Sequence, residues 1–303
     1  MVSIIIVNWN TRDLLLQCIE SVAHDCDGVE TEIIVVDNAS TDGSPQAVGE
    51  GYPSVRVIAN ERNLGFATAS NQGVSEATGD YILLLNPDTV VHPGAISQML
   101  GFLSERREVG IVGPLLLGAD GRPQISSFGI FPSPLEAMLR AMRIWRLAPK
   151  SALARRFLIR PESPGEWVYS EHLLGACLLI RREVLDQVGG FDEDFFLFLE
   201  ETDLCYRTKE AGWRVAFYTG ASVTHLGEQS MQHILHRSGG LYIRSYNRFC
   251  QKHGASILSR GAVNVFLVLG VLGEAGVGLI RFRSPRRAAN VLRALWYGYV
   301  ARG

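Results

Sequence analysis

Short runs of β-branched and aliphatic residues alternate with amphipathic segments over the first 90 residues of the chain. The apolar runs of strand length are residues 2–7, 32–36, 55–58 and 81–85. Between the first two runs, apolar residues recur at helical spacing from Leu14 to Val22, and residues 68–77 form a second helical segment that Gly79 ends. Strands that alternate with helices predict βαβ units, so this part is expected to be a doubly wound α/β half.

The pattern is less regular after residue 90, but the same two periods recur. Helices are predicted from Pro93 to Leu103, over residues 182–189 and over residues 200–211. The segments with strand character are residues 110–113, 172–180, 214–218 and 221–225. Residues 114–165 are rich in glycine and proline, and the sequence gives no clear element boundaries there.

Residues 261–280, between Arg260 and Arg281, contain only two strongly polar side chains, Asn264 and Glu274. As a helix, a segment of this length would extend about 30 Å, enough to cross a bilayer core. Glu274 opposes such a span, because an acid near the centre costs about 2.5–3.5 kcal/mol on insertion scales. We therefore expect a helix that lies on or dips into a membrane surface, with a true span and an ordinary packed helix as alternatives.

The net charge of -2 hides a strong asymmetry. Residues 231–303 contain eleven Lys or Arg residues and one acid, a net charge of +10, so residues 1–230 carry -12. This excess indicates an anionic partner for the C-terminal part, either nucleic acid or a phospholipid surface. Because the basic residues are interleaved with the apolar segment, we expect an anionic membrane surface and no nucleic acid.

Two further observations concern the compartment. The five cysteines are odd in number and include no CxxC pair, which argues against a disulfide framework and favours a reducing environment. The first apolar run starts at residue 2, without the basic region and cleavage site of a signal peptide. We expect a cytoplasmic protein, peripheral on the inner face of the cell membrane.

Polar clusters follow four of the predicted strands at their carboxyl ends. They occupy residues 8–10, 37–44, 60–66 and 86–88. Any one of them can be a capped turn, because Asn, Asp, Ser and Gly are turn formers. Four clusters at successive strand ends indicate a ligand, since an open α/β sheet binds ligands at this edge.

The contents of these clusters restrict the kind of ligand. Neither GxGxxG nor GxxxxGK[ST] is present, which excludes the dinucleotide fingerprint and the P-loop. Phosphate charge would then be met by a metal ion, and Asp88, beside the rigid Pro87, is a suitable ligand for Mg²⁺ or Mn²⁺. Asp37 can accept a hydrogen bond from a base imide or a ribose hydroxyl.

Three acids, Glu200, Glu201 and Asp203, occur within four residues at the start of a predicted helix. Helix capping is one interpretation, because acids stabilise a helix N-terminus. The aromatic residues just before them would raise the pKa of one carboxyl group, which suits a general base. A lone histidine after a short strand, such as His225, is more often structural.

Together these motifs resemble those of the family 2 glycosyltransferases of the GT-A fold, over roughly residues 1–230. The motifs that carry the resemblance are residues 3–10, 35–44, 63–66 with Asn71, 86–88 and 190–207. The resemblance implies an α/β fold with a doubly wound, mostly parallel sheet and a basic, helical C-terminal extension. It divides the chain into a Rossmann-like nucleotide-sugar-binding half at residues 1–115, an acceptor-binding half at 116–230 and a membrane-associated region at 231–303.

The resemblance also implies roles for individual residues. The donor-binding residues would be Val7, Asn8, Asn10, Asp37, Asn38, Asn63, Gly65, Asn71, Asn86 and Asp88. Asn86 stands at the first Asp of the family's DxD metal motif, so Asp88 remains as the carboxylate ligand, and His225 maps to a histidine that can join the metal. Glu201 falls at the catalytic base, where Asp is commoner, and Asp203 is its rival.

Within the family, the chain most resembles bacterial rhamnosyltransferases that use dTDP-L-rhamnose. That likeness depends on residues 7–10, 86–88 and 131–134 and on the basic C-terminus. It implies inverting transfer, with Mg²⁺ or Mn²⁺, onto a polyprenyl-diphosphate-linked saccharide in cell-wall or surface-polysaccharide synthesis, by a chain that can form a homo-oligomer. The alternatives are a UDP-sugar-dependent member, a catalytically silent membrane assembly partner and, less favoured, a sugar nucleotidyltransferase.

Overall fold

The computed structural model of the chain describes residues 1–25, 28–124, 128–134, 136–138, 165–227 and 235–280. The strands are β1 (Val2–Asn8), β2 (Thr31–Asp37), β3 (Arg56–Ala59), β4 (Tyr81–Leu85), β5 (Thr89–Val91), β6 (Val109–Leu117), β7 (Phe128–Gly129), β8 (Trp167–Tyr169), β9 (His172–Leu173), β10 (Cys177–Arg181) and β11 (Arg214–His225). The helices are α1 (Arg12–Asp25), α2 (Ser44–Gly51), α3 (Phe66–Glu76), α4 (Ala95–Glu105), α5 (Arg182–Val188), α6 (Glu200–Glu210), α7 (Leu235–Lys252) and α8 (Ile257–Ile280).

Within the described residues, nine strands form one sheet in the order β3-β2-β1-β4-β10-β6-β11-β5, with β8 beside β11. The first four of these strands are mutually parallel, and β6 is parallel to β11. β10 runs antiparallel between β4 and β6 and joins the two parallel groups. β7 and β9 form a separate antiparallel pair. The predicted α/β fold with a doubly wound, mostly parallel sheet is confirmed.

β1 is apolar at five of its seven positions because helices cover both faces of the sheet at this point. All seven of its residues are buried. On one face, Ile4 and Ile6 share a core with the predicted apolar stripe of α1, which includes Leu15 and Ile19. On the other face α3 lies so close that a Cβ added at its Gly73 would collide with Ile5. Burying each large aliphatic side chain contributes about 1.5–3 kcal/mol, so this strand anchors the fold.

Several elements differ from the sequence prediction. The two β-rich segments at 214–218 and 221–225 are one strand, β11, with a register irregularity between Tyr218 and Ser222. Glycine at position 220 permits it, because a side chain there would collide with the Tyr218 ring. The apolar run 172–180 is divided between β9 and β10, which lie in different sheets. The elements α2, β5, β7 and β8 were not predicted, and α7 lies in the C-terminal region predicted to be helical.

The chain divides into two compact units, the first comprising residues 1–129, 161–194 and 200–230 and the second residues 130–160, 195–199 and 231–303. The described part of the first unit contains the nine-stranded sheet and α1 to α6. In the second unit, Tyr246 is fully buried and donates to Glu136 at 2.7 Å. Asn247 of α7 and Asn264 of α8 exchange amide hydrogen bonds at 2.8 and 2.7 Å.

The predicted apolar helix over residues 261–280 lies within α8. Four of its apolar side chains are largely exposed, namely Ile257, Leu258, Val265 and Leu269. Among the residues that the structure describes, none of the helices is both long and apolar enough for a membrane span. Residues 281–303, with five of the arginines on which the predicted membrane association depends, lie outside the described residues.

Candidate active site

The carboxyl ends of the first three strands along the chain meet at one edge of the sheet. Asn8, the last residue of β1, pairs with Asp37, the last residue of β2. Asp37 pairs in turn with Ala59 at the end of β3. The polar residues that follow these strands therefore lie side by side, where an open parallel sheet binds ligands.

Asp37 is a buried carboxylate whose two oxygens are held by separate donors. Nδ2 of Asn8 donates to Oδ1 and the N–H of Ser40 donates to Oδ2, both at 2.8 Å. Asn8 is itself oriented, because Oγ1 of Thr11 donates to its Oδ1 at 2.7 Å. The two side chains are thus fixed without any ligand, which lowers the entropic cost of binding one.

The loop after β2 is tied to the loop after β1 through Asn10. Asn10 has a φ of 54°, a left-handed conformation in which Asn is enriched. Its N–H donates to Oγ of Ser40, and its Oδ1 accepts from the N–H of Thr41, both at 2.8 Å. Val7, the residue before Asn8, is buried within β1. These bonds give both loops a defined shape at the ligand edge.

Asn38 and Asn63 shape the turn before α3. Nδ2 of Asn38 donates to the carbonyl of Gly65 at 3.1 Å, and its Oδ1 accepts from Asn60 at 3.0 Å. Oδ1 of Asn63 accepts from the N–H of Gly65 at 2.9 Å. Gly65 has a φ of 87°, which favours glycine, and it stands at the N-terminal end of α3. The predicted residues of this turn therefore build one wall of the site.

Asn71 is engaged elsewhere. Its side chain bonds to both backbone groups of Phe191 and to the carboxylate of Glu193, at 2.9–3.0 Å. The amide predicted to bind the donor therefore holds another segment of the protein.

Asp88 and His225 come together from distant parts of the chain. Asp88 is 4% exposed and follows β4, and His225 ends β11, where it pairs with Thr89 of β5. Nε2 of His225 lies 3.5 Å from Oδ1 of Asp88. Gln124 contacts the histidine twice, donating from its Nε2 to the His225 carbonyl at 2.7 Å and placing its Oε1 3.0 Å from Nδ1.

The two contacts of Gln124 decide which nitrogen of His225 carries the proton. Because the amide nitrogen of Gln124 donates to the carbonyl, the atom that faces Nδ1 is the amide oxygen, which can only accept. The proton of the neutral imidazole is therefore on Nδ1. In that neutral form Nε2, which lies 3.5 Å from Oδ1 of Asp88, carries a lone pair that can bind a metal ion.

These two groups fit a divalent cation. A carboxylate oxygen suits Mg²⁺ or Mn²⁺, and a neutral imidazole held at its other nitrogen is a common metal ligand. In the described ranges of the chain, no group of three or more His, Cys, Asp or Glu side chains is arranged to hold a metal. A cation at Asp88 and His225 would take its remaining ligands from phosphate oxygens and water, as Mg²⁺ commonly does.

The segment between β9 and β10 contacts both α6, which carries the three acids, and the loop of Asn86 and Asp88. The N–H of Asn86, two residues before Asp88, donates to the carbonyl of Ala176 at 2.9 Å. The preceding residue, Gly175, lies against the side chain of Glu201, since a Cβ added at Gly175 would be 3.4 Å from Cγ and 3.6 Å from Cδ of that residue. Two adjacent residues thus contact Asn86 and Glu201, which places the predicted base near the loop that carries Asp88.

The approach is close, and a Cβ added at Gly175 would be in van der Waals contact with Glu201. Burial raises the pKa of Glu201 to about 7, although backbone hydrogen bonds from residues 175, 201 and 202 act to lower it. Burial and the Glu201 charge raise the pKa of the neighbouring Glu200 well above its ordinary value. Each carboxyl group has a buried Oε2 without a hydrogen-bond partner among the described residues.

The backbone is strained immediately before this helix. Phe198 and Leu199 have φ values of 70° and 65°, a conformation that bulky side chains rarely adopt. Such strain costs about 1–3 kcal/mol per residue, and it persists only where the surrounding structure enforces it.

Asp203 has a different environment. It is fully buried, and its Oδ2 accepts from Nε of Arg207 at 2.7 Å. Arg207 also donates to the carbonyls of Val188 and Gly190, each at 2.7 Å. Asp203 is thereby part of a structural ion pair within α6.

Sequence reasoning did not find several of these residues. Gln124 lies in the region without predicted boundaries, and Gly175 lies in the middle of a run taken as a single strand. Ser40 lies within the predicted cluster at residues 37–44 and Arg207 within the motif at residues 190–207, but the sequence assigns no role to either. No local signal marks Gln124 or Gly175, because each acts through a contact with a residue far away in the chain.

Comparison with known proteins agrees with this geometry. The family model for glycosyl transferase family 2 matches residues 3–161. The N-acetylglucosaminyl-diphospho-decaprenol L-rhamnosyltransferase of Mycobacterium tuberculosis is 34% identical over 207 residues, 64% of this chain and 66% of that protein. The match thus spans slightly less than two thirds of that relative's length.

Two solved structures show the same fold. A mannosyltransferase from Pyrobaculum calidifontis, in complex with GDP-Man and Mn²⁺, has a TM-score of 0.60 at 15% identity, covering 100% of this chain and 88% of that one. GalNAc-T7 with UDP, GalNAc and Mn²⁺ has a TM-score of 0.60 at 18% identity, covering 83% and 47%. These likenesses confirm the GT-A type fold expected from the sequence. With the family model matching more than half of its residues, the chain belongs to glycosyl transferase family 2, a family of enzymes.

Proposed function

We propose that the chain is an inverting, metal-dependent glycosyltransferase that moves a hexose from a nucleoside diphosphate sugar onto a saccharide hydroxyl. The observation that carries this proposal is the Gly175–Ala176 connection, in which Gly175 packs against the half-buried Glu201 and Ala176 accepts a hydrogen bond from Asn86 in the loop of Asp88. An acid with a raised pKa and a cation site at the same edge are the two groups that direct displacement of a diphosphate requires.

The reaction is a single displacement. Glu201 accepts the proton of the acceptor hydroxyl while that oxygen forms a bond to the anomeric carbon. The bond between the anomeric carbon and the diphosphate oxygen breaks on the opposite face, so the configuration inverts. Asp88 and His225 would hold a divalent cation, whose charge stabilises the diphosphate as it leaves. Asp37 and Asn8 would bind the base or ribose and orient the donor.

Glu201 is favoured over Asp203 as the base. The pKa of Glu201 is raised, and its Oε2 has no hydrogen-bond partner among the described residues. Asp203, in contrast, accepts a hydrogen bond from Arg207 at 2.7 Å. A base works best when its pKa lies near the operating pH. In this assignment residues 1–115 form the nucleotide-sugar-binding half and residues 116–230 the acceptor-binding half.

We propose dTDP-L-rhamnose as the donor and a polyprenyl-diphosphate-linked saccharide as the acceptor. The support is the resemblance of the motifs and the 34% identity to a rhamnosyltransferase whose name gives N-acetylglucosaminyl-diphospho-decaprenol. A lipid-linked acceptor also accounts for the net charge of +10 in residues 231–303, since basic residues near an anionic membrane contribute about 1 kcal/mol each.

The donor proposal is tested by released nucleoside diphosphate. The purified chain is incubated with dTDP-L-rhamnose, UDP-glucose, UDP-galactose or UDP-N-acetylglucosamine, with a short lipid-diphosphate-linked GlcNAc acceptor, in Mg²⁺, Mn²⁺ or EDTA. Glu201→Gln is the inactive control. Metal-dependent release from dTDP-L-rhamnose alone is the expected result. Release from a UDP-sugar instead would discard the donor, and nucleotide binding without turnover of any donor would favour a silent assembly partner.

Peripheral attachment to the inner membrane face is tested on α8. The exposed side chains of Leu258 and Leu269 are suited to insertion into the lipid interface. We expect Leu258→Glu with Leu269→Glu to reduce co-sedimentation with vesicles that contain phosphatidylglycerol. Tyr169→Ser, which removes an exposed aromatic ring from the first unit, is the control. Unchanged sedimentation of the double variant would argue against insertion of α8.

A further inference from the structure

A six-residue segment at the end of α5 is hydrogen-bonded by side chains of two other helices. The segment comprises residues 188–193 and is here called the clamp segment. It begins with Val188 and two glycines of positive φ, Gly189 at 84° and Gly190 at 71°. The N–H groups of both glycines donate to the carbonyl of Leu185, at 2.8 and 3.2 Å, so the turn closes α5 in a defined way.

On one side, the side chain of Asn71 in α3 hydrogen-bonds to the backbone of the clamp segment. Nδ2 of Asn71 donates to the Phe191 carbonyl at 3.0 Å, and Oδ1 accepts from the Phe191 N–H at 2.9 Å. The same Nδ2 donates to Oε1 of Glu193 at 2.9 Å, and Thr68 donates to Oε2 at 3.2 Å. A Cβ on Gly190 would lie 2.8 Å from Oδ1 of Asn71, so the approach depends on glycine.

On the other side, Arg207 of α6 holds the start of the segment. Its Nη1 donates to the Val188 carbonyl and its Nη2 to the Gly190 carbonyl, each at 2.7 Å. Its Nε donates to the buried carboxylate of Asp203, which fixes the guanidinium on its own helix. Charge-assisted bonds of this length are roughly twice as strong as neutral ones, so α6 cannot shift without breaking several of them.

The two helices joined in this way belong to different parts of the proposed reaction. α3 follows directly from the donor-side turn at Gly65, and its first residue, Phe66, packs edge-on against Phe191 at 6.3 Å. α6 carries Glu201 in its first turn. The clamp segment therefore links α3, which begins at the donor-side turn, to α6, which carries the proposed base.

We propose that Asn71 and Arg207 are positioning residues that act through the clamp segment to set Glu201 against the bound donor. This inference depends on the function proposed above and adds two residues whose side chains are bonded to the clamp segment. Displacing a catalytic group by about 1 Å can cost about a hundredfold in rate. Weakening the clamp should therefore lower kcat and leave donor affinity nearly unchanged.

The sharpest test is a reversal of polarity at Asn71. Asn71→Asp puts a carboxylate against Oε1 of Glu193 and against the Phe191 carbonyl, and it should lower kcat about ten- to a hundredfold with the Kd for the nucleoside diphosphate within about twofold of the wild type. Glu193→Gln restores a donor toward that carboxylate, so the double variant N71D/E193Q should recover a large part of kcat. Ser75→Ala, on the exposed side of α3, is the matched control.

Amide hydrogen exchange provides a readout that does not need turnover. Asn71→Asp and Arg207→Lys should each speed exchange at residues 190–193, with the melting temperature checked in parallel. Faster exchange without any turnover of the wild-type chain would retain the clamp and reject the proposed function. A rise in donor Kd with kcat preserved would make Asn71 a donor ligand, and absence of rescue together with unchanged exchange would equally overturn the proposal.

Discussion

Nε2 of His225 lies 3.5 Å from Oδ1 of Asp88, and Gln124 fixes the histidine proton on the opposite nitrogen. When the imidazole is neutral, the pair presents two lone-pair donors to one point. This is a property of the folded chain, since Asp88 follows β4 and His225 ends β11.

Asp88→Asn should weaken metal-dependent nucleotide binding. The substitution keeps the shape of the side chain but removes the charge that a divalent cation requires, and we expect the Kd for dTDP in Mn²⁺ to rise about tenfold or more. Calorimetric titration with and without EDTA measures it. Asp120→Asn, at an exposed turn, is the control. Equal metal dependence in Asp88→Asn and wild type would remove Asp88 from the metal site.

Gln124→Ala should weaken the same site indirectly. Without the amide oxygen, the imidazole of His225 can adopt either tautomer and rotate, and loss of such an outer partner typically costs about 10–100-fold in metal affinity. Competition between Mn²⁺ and a chelating dye gives the affinity. His225→Gln should be at least as severe. A Gln124→Ala variant with unaltered affinity would show that the histidine needs no partner at Nδ1.

Glu201→Gln should abolish transfer and spare donor binding. A general base contributes about 10²–10⁴-fold to the rate, and the amide keeps the size of the side chain. Turnover is compared with that of Glu210→Gln, which changes an exposed acid on the same helix. Near-normal turnover in Glu201→Gln would show that Glu201 is not the general base.

The rate should rise with pH through the raised pKa of Glu201. The base acts only when deprotonated, so kcat should increase across pH about 7 and reach a plateau above it. Stability should run the other way. Because the folded-state pKa lies above that of the unfolded chain, the unfolded state loses its proton first, and the free energy of unfolding falls from the ordinary carboxyl range up to about pH 7. Urea titrations at several pH values should show this fall, and it should be smaller in Glu201→Gln.

Asp203→Asn should act on stability. Removing one member of a buried ion pair leaves the partner charge uncompensated and typically costs about 3–5 kcal/mol. Arg207 retains some exposure and keeps two carbonyl partners, so we expect the lower end of that range. Glu105→Gln, which breaks an exposed pair with Arg106 at 3.0 Å, should cost less than about 1 kcal/mol. Chemical denaturation compares the two, and equal losses would contradict the structural role of Asp203.

The first half of the fold was predictable because its information is local. The apolar run at residues 2–7 predicts a strand, and the spacing of apolar residues from Leu14 to Val22 predicts a helix. Each pattern is contained in a short segment of the chain, and both elements occur as expected. The four clusters at strand ends were also readable, since a parallel sheet forces its carboxyl ends together. The sequence predicts two segments on either side of residues 219 and 220, although β11 continues past them with a local irregularity.

The site was predictable in its residue types and less so in its contacts. Asn71 has the chemistry of a donor ligand, but only the fold shows that Phe191 and Glu193 occupy its amide. Gly175 lies within an apolar run that gives no reason to expect a carboxylate beside it. Contacts of this kind join segments far apart in the chain, and periodicity within one segment carries no record of them.

The antiparallel strand β10 has a consequence for the order in which the protein is made. β1 to β4 pair among themselves within the first 85 residues, so that half can form while the rest of the nascent chain is still being synthesised. β4 gains its other neighbour only when Cys177–Arg181 have emerged, and Asp88 meets His225 later still. Because the proposed cation site needs both residues, an unfinished chain that lacks residue 225 cannot assemble it.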